Sequence, residues 1–232
     1  MLFWGFNLDN VQIIFYTRRM TRVTYHHGDL KNALIQAGIE IVAAEGVYGL
    51  TLRKTARRAG VSHNAPYAHF ADKQSLIAAI ALEGHVKIHT LIEKVVTQYP
   101  DEPLKQLVNL AWAYVQFGLE SPAHYKITFS GLIENEKNFP SFVEVSHSSL
   151  RLLQKIVADC QTAGVLNSHN RPVGMVAVSA WGLIHGLVSL IIEGQVPSKL
   201  LKQNPPRAMV ISVLQQVVCV PIDESMIDIN GC

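Results

Sequence analysis

A chain of 232 residues with a net charge of +2 is long enough to bury a sizeable core, as one large domain or two unequal ones. Its 49% hydrophobic and 16% charged residues argue against intrinsic disorder, and near-neutrality means that any affinity for nucleic acid must come from where charges sit rather than from bulk charge. Cys160, Cys219 and Cys232 stand far apart with no CxxC pair, which argues against a disulfide framework or a thiolate metal site and fits a reducing cytoplasm.

Residues 1–22 are expected to be an N-terminal extension or arm. In MLFWGFNLDNVQIIFYTRRM the apolar runs are interrupted by Asn7, Asp9 and Asn10, and Arg18 and Arg19 follow the apolar part, the reverse of a secretory signal. The more ordinary character of the chain after Met20 makes Met20 the expected natural start; the alternative is a flexible arm in which Arg18, Arg19 and Arg22 reach phosphates or a minor groove.

From Leu30, the residues Leu34, Ala37, Ile41 and Ala44 recur at helical spacing between Gly28-Asp29 and Gly46, predicting an amphipathic helix. Thr51 is placed to cap a second helix, with Leu52, Ala56 and Ala59 inward and Arg53, Lys54, Arg57 and Arg58 outside. Gly60 ends it and Val61 plugs the turn. Ser62 is the expected cap of a short third helix to about His69, with Pro66 in the first turn, where a missing N–H costs least. Asp72 then caps a fourth helix, expected to reach about Val96, that carries Leu76, Ile77, Ile80, Leu91 and Ile92. Beyond it Pro100, Pro103, Pro122, Pro140, Pro172, Pro205 and Pro206 divide the remainder into helix-length pieces, and none alternates as a half-buried strand does. The expected class is all-α, with about nine helices.

The most apolar piece is GMVAVSAWGLIHGLVSLIIEG, close to the roughly 20 apolar residues that cross a bilayer. His185, two serines, four glycines and the lack of a basic clamp on either flank favour instead a helix covered by its own core on one face and a second subunit on the other. Gly182 and Gly186 share a face, and Ala208 to Val220, with Met209, Ile211, Leu214, Val217 and Val218, is the expected companion. A homodimer through residues 172–194 and 206–220 is the resulting expectation; a membrane-anchored or scaffold protein using residues 175–192 is the alternative.

Between Thr51 and Lys73 five basic residues, Arg53, Lys54, Arg57, Arg58 and Lys73, face one acid, Asp72. Helix, glycine-containing turn and short helix with local positive charge is the pattern of a helix-turn-helix. A solvated basic face on a small helical module accounts for the same charges. His85 and His89, spaced i, i+4, form with Glu93 a conceivable metal face, but no HExxH or CxxC accompanies them and no metal is expected. No nucleophile elbow, phosphate loop or carboxylate pair is present, so no catalytic residue is assigned and an enzyme with an accessory helix-turn-helix is the weaker reading.

The stretch TLRKTARRAGVSHNAPYAHFADKQSLIAAI resembles the DNA-binding domain of the TetR/AcrR family of bacterial transcription regulators, matching at Ala59, Gly60, Val61, Ser62, Tyr67, His69, Phe70, Lys73 and Leu76. Trp181, His185 and Gly186, as W-x-x-x-H-G, resemble the WHG-type effector domain of some members over a shorter stretch. The resemblance implies a helix-turn-helix domain over residues 23–72, an effector-binding and dimerisation domain over 73–222 and a tail over 223–232. It implies a cytoplasmic, ligand-released repressor that binds a palindromic operator in double-stranded DNA as a homodimer and needs no cofactor.

For DNA contacts, the resemblance implies Thr51, Ser62, His63, Asn64, Ala65, Tyr67, His69 and Lys73, with Asn64 placed to bond adenine, Thr51 and Lys73 reaching phosphates, and Phe70 in the core. Pro66 stands where the family often has an aliphatic residue, which leaves the base readout open. An effector of apolar or aromatic character is expected among Trp112, Phe117, Tyr125, Phe129, His147 and His185, although ordinary bundle core accounts for most of these aromatics equally well. His185 beside Trp181 fits a hydrogen-bonded buried histidine better than a ligand sensor.

Overall fold

The computed structural model describes residues 30–167 and 171–228. Met20, the arm residues Arg18, Arg19 and Arg22, and Cys232 lie outside these. Among the described residues every regular element is helical, and the only β pairing is one isolated antiparallel bridge, Leu166 with Val218.

Helix α1, Leu30–Glu45, buries Leu34, Ile35, Ala37, Gly38, Ile41 and Val42. Ala44, expected on that stripe, is exposed, because the last turn runs past the packed face before Gly46 turns the chain at φ 73. Helix α2, Leu52–Arg58, starts at the expected cap: Thr51 Oγ1 accepts from Lys54 N at 3.2 Å. It stops in a Schellman turn, with Val61 N bonded to Ala56 O at 3.0 Å, Gly60 N to Arg57 O at 3.3 Å, and Gly60 left-handed at φ 72. Leu52 and Ala56 are buried and Ala59 half-buried.

The third element differs from expectation. Residues 62–69 hold no α-helix but a 3-10 turn, Ala65–Ala68, whose cap position is Asn64 rather than Ser62 and carries no side-chain cap bond. The cause is Pro66. With no N–H at Pro66, the Ser62 carbonyl cannot receive a bond from four residues on and takes Ala65 N instead, at 3.0 Å. Asn64 O likewise takes Tyr67 N at 3.2 Å.

Helix α3, Lys73–Gln98, begins with a capping box in which Asp72 Oδ1 accepts from Ser75 N at 2.8 Å and Ser75 Oγ accepts from Asp72 N at 3.0 Å. Its Leu76, Ile77 and Ile80 seal the helix-turn-helix core with Leu34, Leu50 and Phe70, while Leu91, Ile92 and Val95 enter the larger bundle. That bundle comprises α4 (Pro103–Glu120), α5 (Pro122–Thr128), α6 (Pro140–Thr162), α7 (Val173–Ile192), α8 (Ser198–Gln203) and α9 (Pro206–Leu214). Helix α3 packs on α4, α5 and α6, and α4 lies against α6, α7 and α9.

By length and composition α3 and α7 are each apolar enough to cross a membrane. Helix α7 nevertheless buries Val176, Ala177, Ala180, Ile184, Leu187 and Val188 against neighbouring helices and leaves Met175, Val178, Leu183 and Leu190 exposed on its other side. The expected companion is shorter than Ala208 to Val220. Helix α9 ends at Leu214, and the chain bends so that Val217 O accepts from Asn167 N at 2.8 Å and Cys219 N donates to Val165 O at 2.9 Å. Those backbone bonds, with Val210, Leu214 and Val218 buried, turn much of the segment into its own bundle. Residues 223–228, expected in a tail, also fold back: buried Asn109 donates to Met226 O at 2.8 Å and accepts from Asp228 N at 3.1 Å.

Close approach of α3 and α5 depends on Gly84, where an added Cβ would lie 1.9 Å from Thr128 Oγ1 and 2.9 Å from its Cβ. Gly84→Ala is therefore expected to overpack this contact and destabilise the fold by about 1–3 kcal/mol, read as a lower urea midpoint at unchanged m-value.

Candidate functional site

The helix-turn-helix presents its residues in two groups. Ser62, His63, Asn64, Tyr67 and His69 are exposed, Ala65 is half-buried, and Pro66 and Phe70 are buried beneath them. Tyr67 is 60% exposed despite its large ring. A hollow of about 500 Å³ between α2 and the residues that follow its glycine stop is lined by Thr51, Arg53, Lys54, Ala56, Arg57, Val61 and His63, so Thr51 and His63 come to one surface. Thr51 Oγ accepts the cap bond and retains its hydrogen, which leaves it able to donate to a phosphate. Lys73 is half-buried at the start of α3.

The charge count along this stretch changes once α1 is in place. Lys54 pairs closely with Glu45, and Arg58 Nη1 lies 3.4 Å from Glu40 Oε2. The Lys54 contact holds the Glu45 carboxyl below its ordinary range. Among the described residues Arg53, Arg57 and Lys73 form no ion pair, so these cations of the stretch remain unneutralised. The acids that neutralise the other two are distant in sequence, so a local count overstates the positive charge.

In the bundle a cavity of about 230 Å³ opens between α3, α4, α6 and α7, walled mainly by Ile, Leu, Ala and aromatic side chains. Of the six residues expected at an effector site, Phe129 and His147 line it. Tyr125 and His185 stand behind the wall, where Tyr125 Oη is 2.6 Å from His185 Nδ1 and Tyr114 Oη is 2.9 Å from the same nitrogen. Phe117 is core, edge-on to His124 at 5.6 Å, and Trp112 lies under the Arg207 guanidinium at 5.9 Å; neither reaches the cavity. Their helical register alone cannot separate the α4 face toward the cavity from the one toward α5 and α9.

The ring-bearing lining residues outside the expected six are His85, Tyr114 and Trp181. The signal for Trp181 was its place in W-x-x-x-H-G, and it donates Nε1–H to Tyr114 Oη at 3.1 Å. His85 shares a face with Ile88 and Ile92, a pattern masked by its pairing with His89 as a possible metal site. The two histidines diverge. His85 meets Phe129 and Phe142 edge-on at 5.4 and 5.3 Å, whereas His89 Nδ1 lies 3.3 Å from the hydroxyls of Ser148 and Ser149. Among the described residues no group of three potential metal ligands converges.

Burial governs titration here. It pulls His85 down to about 4 against a hydrogen bond with the Thr128 backbone, lowers His124 and His185, and pushes the Tyr114 hydroxyl well above its ordinary range.

An exposed polar segment flanked by unpaired cations, carried on a helix-turn-helix joined to an all-helical bundle with an apolar cavity, is the build of a DNA-binding transcriptional regulator. Residues 34–80 match the family described as bacterial regulatory proteins, tetR family, and residues 107–212 match the tetracyclin repressor-like C-terminal domain. The chain belongs to the TetR family of transcriptional regulators.

Among relatives, the HTH-type transcriptional regulator SrpR of Pseudomonas putida is 25% identical over 187 residues, 80% of this chain and 81% of that protein. The HTH-type regulator YobS of Bacillus subtilis is 28% identical over 99 residues, 43% of this chain and about half (51%) of that protein's length. A tetR-family regulatory protein from Rhodococcus RHA1 shares the fold at a TM-score of 0.67 and 22% identity, over 82% of this chain and 98% of that one. So does the regulator FadR of Bacillus subtilis in complex with stearoyl-CoA, at 0.66 and 17%, over 81% and 97%.

The three lowered histidines carry a pH signature. Each is held neutral in the fold, so the unfolded chain takes up protons first as pH falls through the ordinary value of 6.5. Stability is expected to be level above about 6.5 and to fall from there toward about 4, where folded His85 also titrates; urea melts at stepped pH measure this slope.

Proposed function

We propose that this chain is a cytoplasmic homodimeric repressor that binds a palindromic operator and is released by a small apolar effector. The observation that carries the reading is the exposed run Ser62, His63, Asn64, Tyr67 and His69, held over buried Pro66 and Phe70 and bracketed by Thr51, Arg53, Arg57 and Lys73. Polar side chains there read base edges, with Asn64 suited to a bidentate bond to adenine, while the cations and Thr51 position the backbone.

The exposed face of α7 supports a dimer. Met175, Val178, Leu183 and Leu190 are 67, 50, 41 and 51% exposed, and a Cβ added at Gly182 or Gly186 would meet nothing within 4 Å, leaving room for a second helix to approach. Two copies would set recognition segments at half-sites roughly 34–36 Å apart or a multiple of that. An effector in the cavity touches α3 at His85, Ile88 and Ile92, the same helix whose first turns seal the helix-turn-helix. FadR's bound stearoyl-CoA has an apolar chain that such a lining suits; its phosphates find no partner here, since no Lys or Arg is among the lining residues.

Selection from a random duplex pool at physiological salt is expected to enrich a palindrome; enrichment of no sequence would overturn the reading. Asn64→Ala with Tyr67→Ala should cost about 1–3 kcal/mol per lost base contact and relax selectivity, as seen in competition against mismatched duplexes. Arg57→Ala should weaken all duplexes alike and reduce the log–log salt slope by about 1.

A further inference from the structure

The hydrogens that the cavity wall can still offer depend on where each polar group already bonds. Tyr114 Oη accepts from Trp181 Nε1–H at 3.1 Å and has acceptors for its own hydrogen in His185 Nδ1 at 2.9 Å and Tyr125 Oη at 3.4 Å. Ser146 Oγ donates to Val143 O at 3.1 Å and Ser149 Oγ to Val145 O at 3.0 Å. The Thr128 backbone beside His85 favours the protonated ring, as a carbonyl that faces a ring N–H does. Burial keeps the ring neutral at pH 7, so its second nitrogen is a lone pair. His147, the remaining polar lining residue, is exposed to water. The inner wall therefore has its N–H and O–H groups committed and lone pairs to spare, and no charged side chain lines it.

We propose that the cavity selects an uncharged, mainly apolar ligand bearing one hydrogen-bond donor, a phenol- or alcohol-type hydroxyl or an N–H, received by the second ring nitrogen of His85. This rests on the reading of the cavity as the effector site. A ligand carbonyl or ether oxygen loses its water here and finds no free donor on the inner wall, only water-exposed His147. A carboxylate or ammonium would be buried without a counter-charge. Phe129 and Phe142, edge-on to His85 at 5.4 and 5.3 Å, hold the imidazole in place and form the apolar surroundings of the donor.

The test is calorimetric titration of the full chain with three probes on one skeleton, 4-propylphenol, 4-propylanisole and 4-propylbenzoate, followed by operator release measured with the same compounds. The phenol is expected to bind roughly tenfold tighter than the anisole, and the benzoate weaker than both. His85→Phe is expected to bring the phenol to the anisole's level while anisole binding stays within about twofold, which also shows that the cavity is intact. Anisole or benzoate binding to the unaltered chain as tightly as phenol would overturn the inference and leave the effector reading standing. Binding of none of the three overturns both. Phenol-selective binding that leaves operator affinity unchanged supports the ligand class and removes the ligand-released repressor reading.

Discussion

Helix α3 is the constraint on which the rest of the molecule depends. Its 26 residues, roughly 39 Å at the rise of an α-helix, belong to two cores at once. Leu76 and Ile80, both fully buried, close the small helix-turn-helix core with Leu34, Leu50 and Phe70, and the last turns sit in the large bundle. Between these ends the same helix supplies His85, Ile88 and Ile92 to the cavity wall. The helix-turn-helix has too few residues for an ample core of its own, and it gains one by sharing α3. A Cβ on Gly38 would come within 2.9 Å of Ile80, which shows how closely α1 lies on that shared helix.

The polar groups inside the bundle follow from the same packing. Tyr114, Tyr125, Trp181 and His185 come from three helices and meet where α4, α5 and α7 pack; the two buried tyrosine hydroxyls find their hydrogen-bond partners in each other, in half-buried His185 and in the indole of exposed Trp181. That mutual satisfaction holds the cavity wall together while removing donors from it. His124 illustrates the same rule at the α3–α5 contact: buried to 2% exposure, its Nε2 bonds Ile80 O at 3.0 Å and its Nδ1 faces Lys87 Nζ at 3.4 Å.

On the exposed surface of the helix-turn-helix, electrostatics and backbone chemistry act together. Glu40 and Glu45 on α1 neutralise two of the four cations of α2 and tie the two helices to each other, which leaves Arg53 and Arg57 outward. Pro66 replaces an expected helix with a 3-10 turn, yet its buried ring anchors the segment so that Asn64 and Tyr67 stay in solvent. The loss of helical regularity therefore coincides with a firmly seated, exposed polar segment.

The all-helical class, the caps at Thr51 and Asp72, the glycine stop at Gly60 and the core face of α3 were legible in the sequence, because each depends on residues within one or two turns of one another. So was the family, carried by a contiguous stretch around residues 51–80. Other features were decided only by the tertiary structure: which cations remain free, which aromatics line a cavity, where α9 ends, and the divergence of His85 from His89. Glu40 and Glu45 are brought to α2 by the fold; Trp112, Phe117 and Tyr114 share one helix but face different neighbours; residues 216–219 leave helical geometry to bond residues 165–167. Local backbone and capping energies act over a few residues and can be read in order along the chain, whereas burial and pairing depend on which distant surface arrives opposite, and that is set by packing.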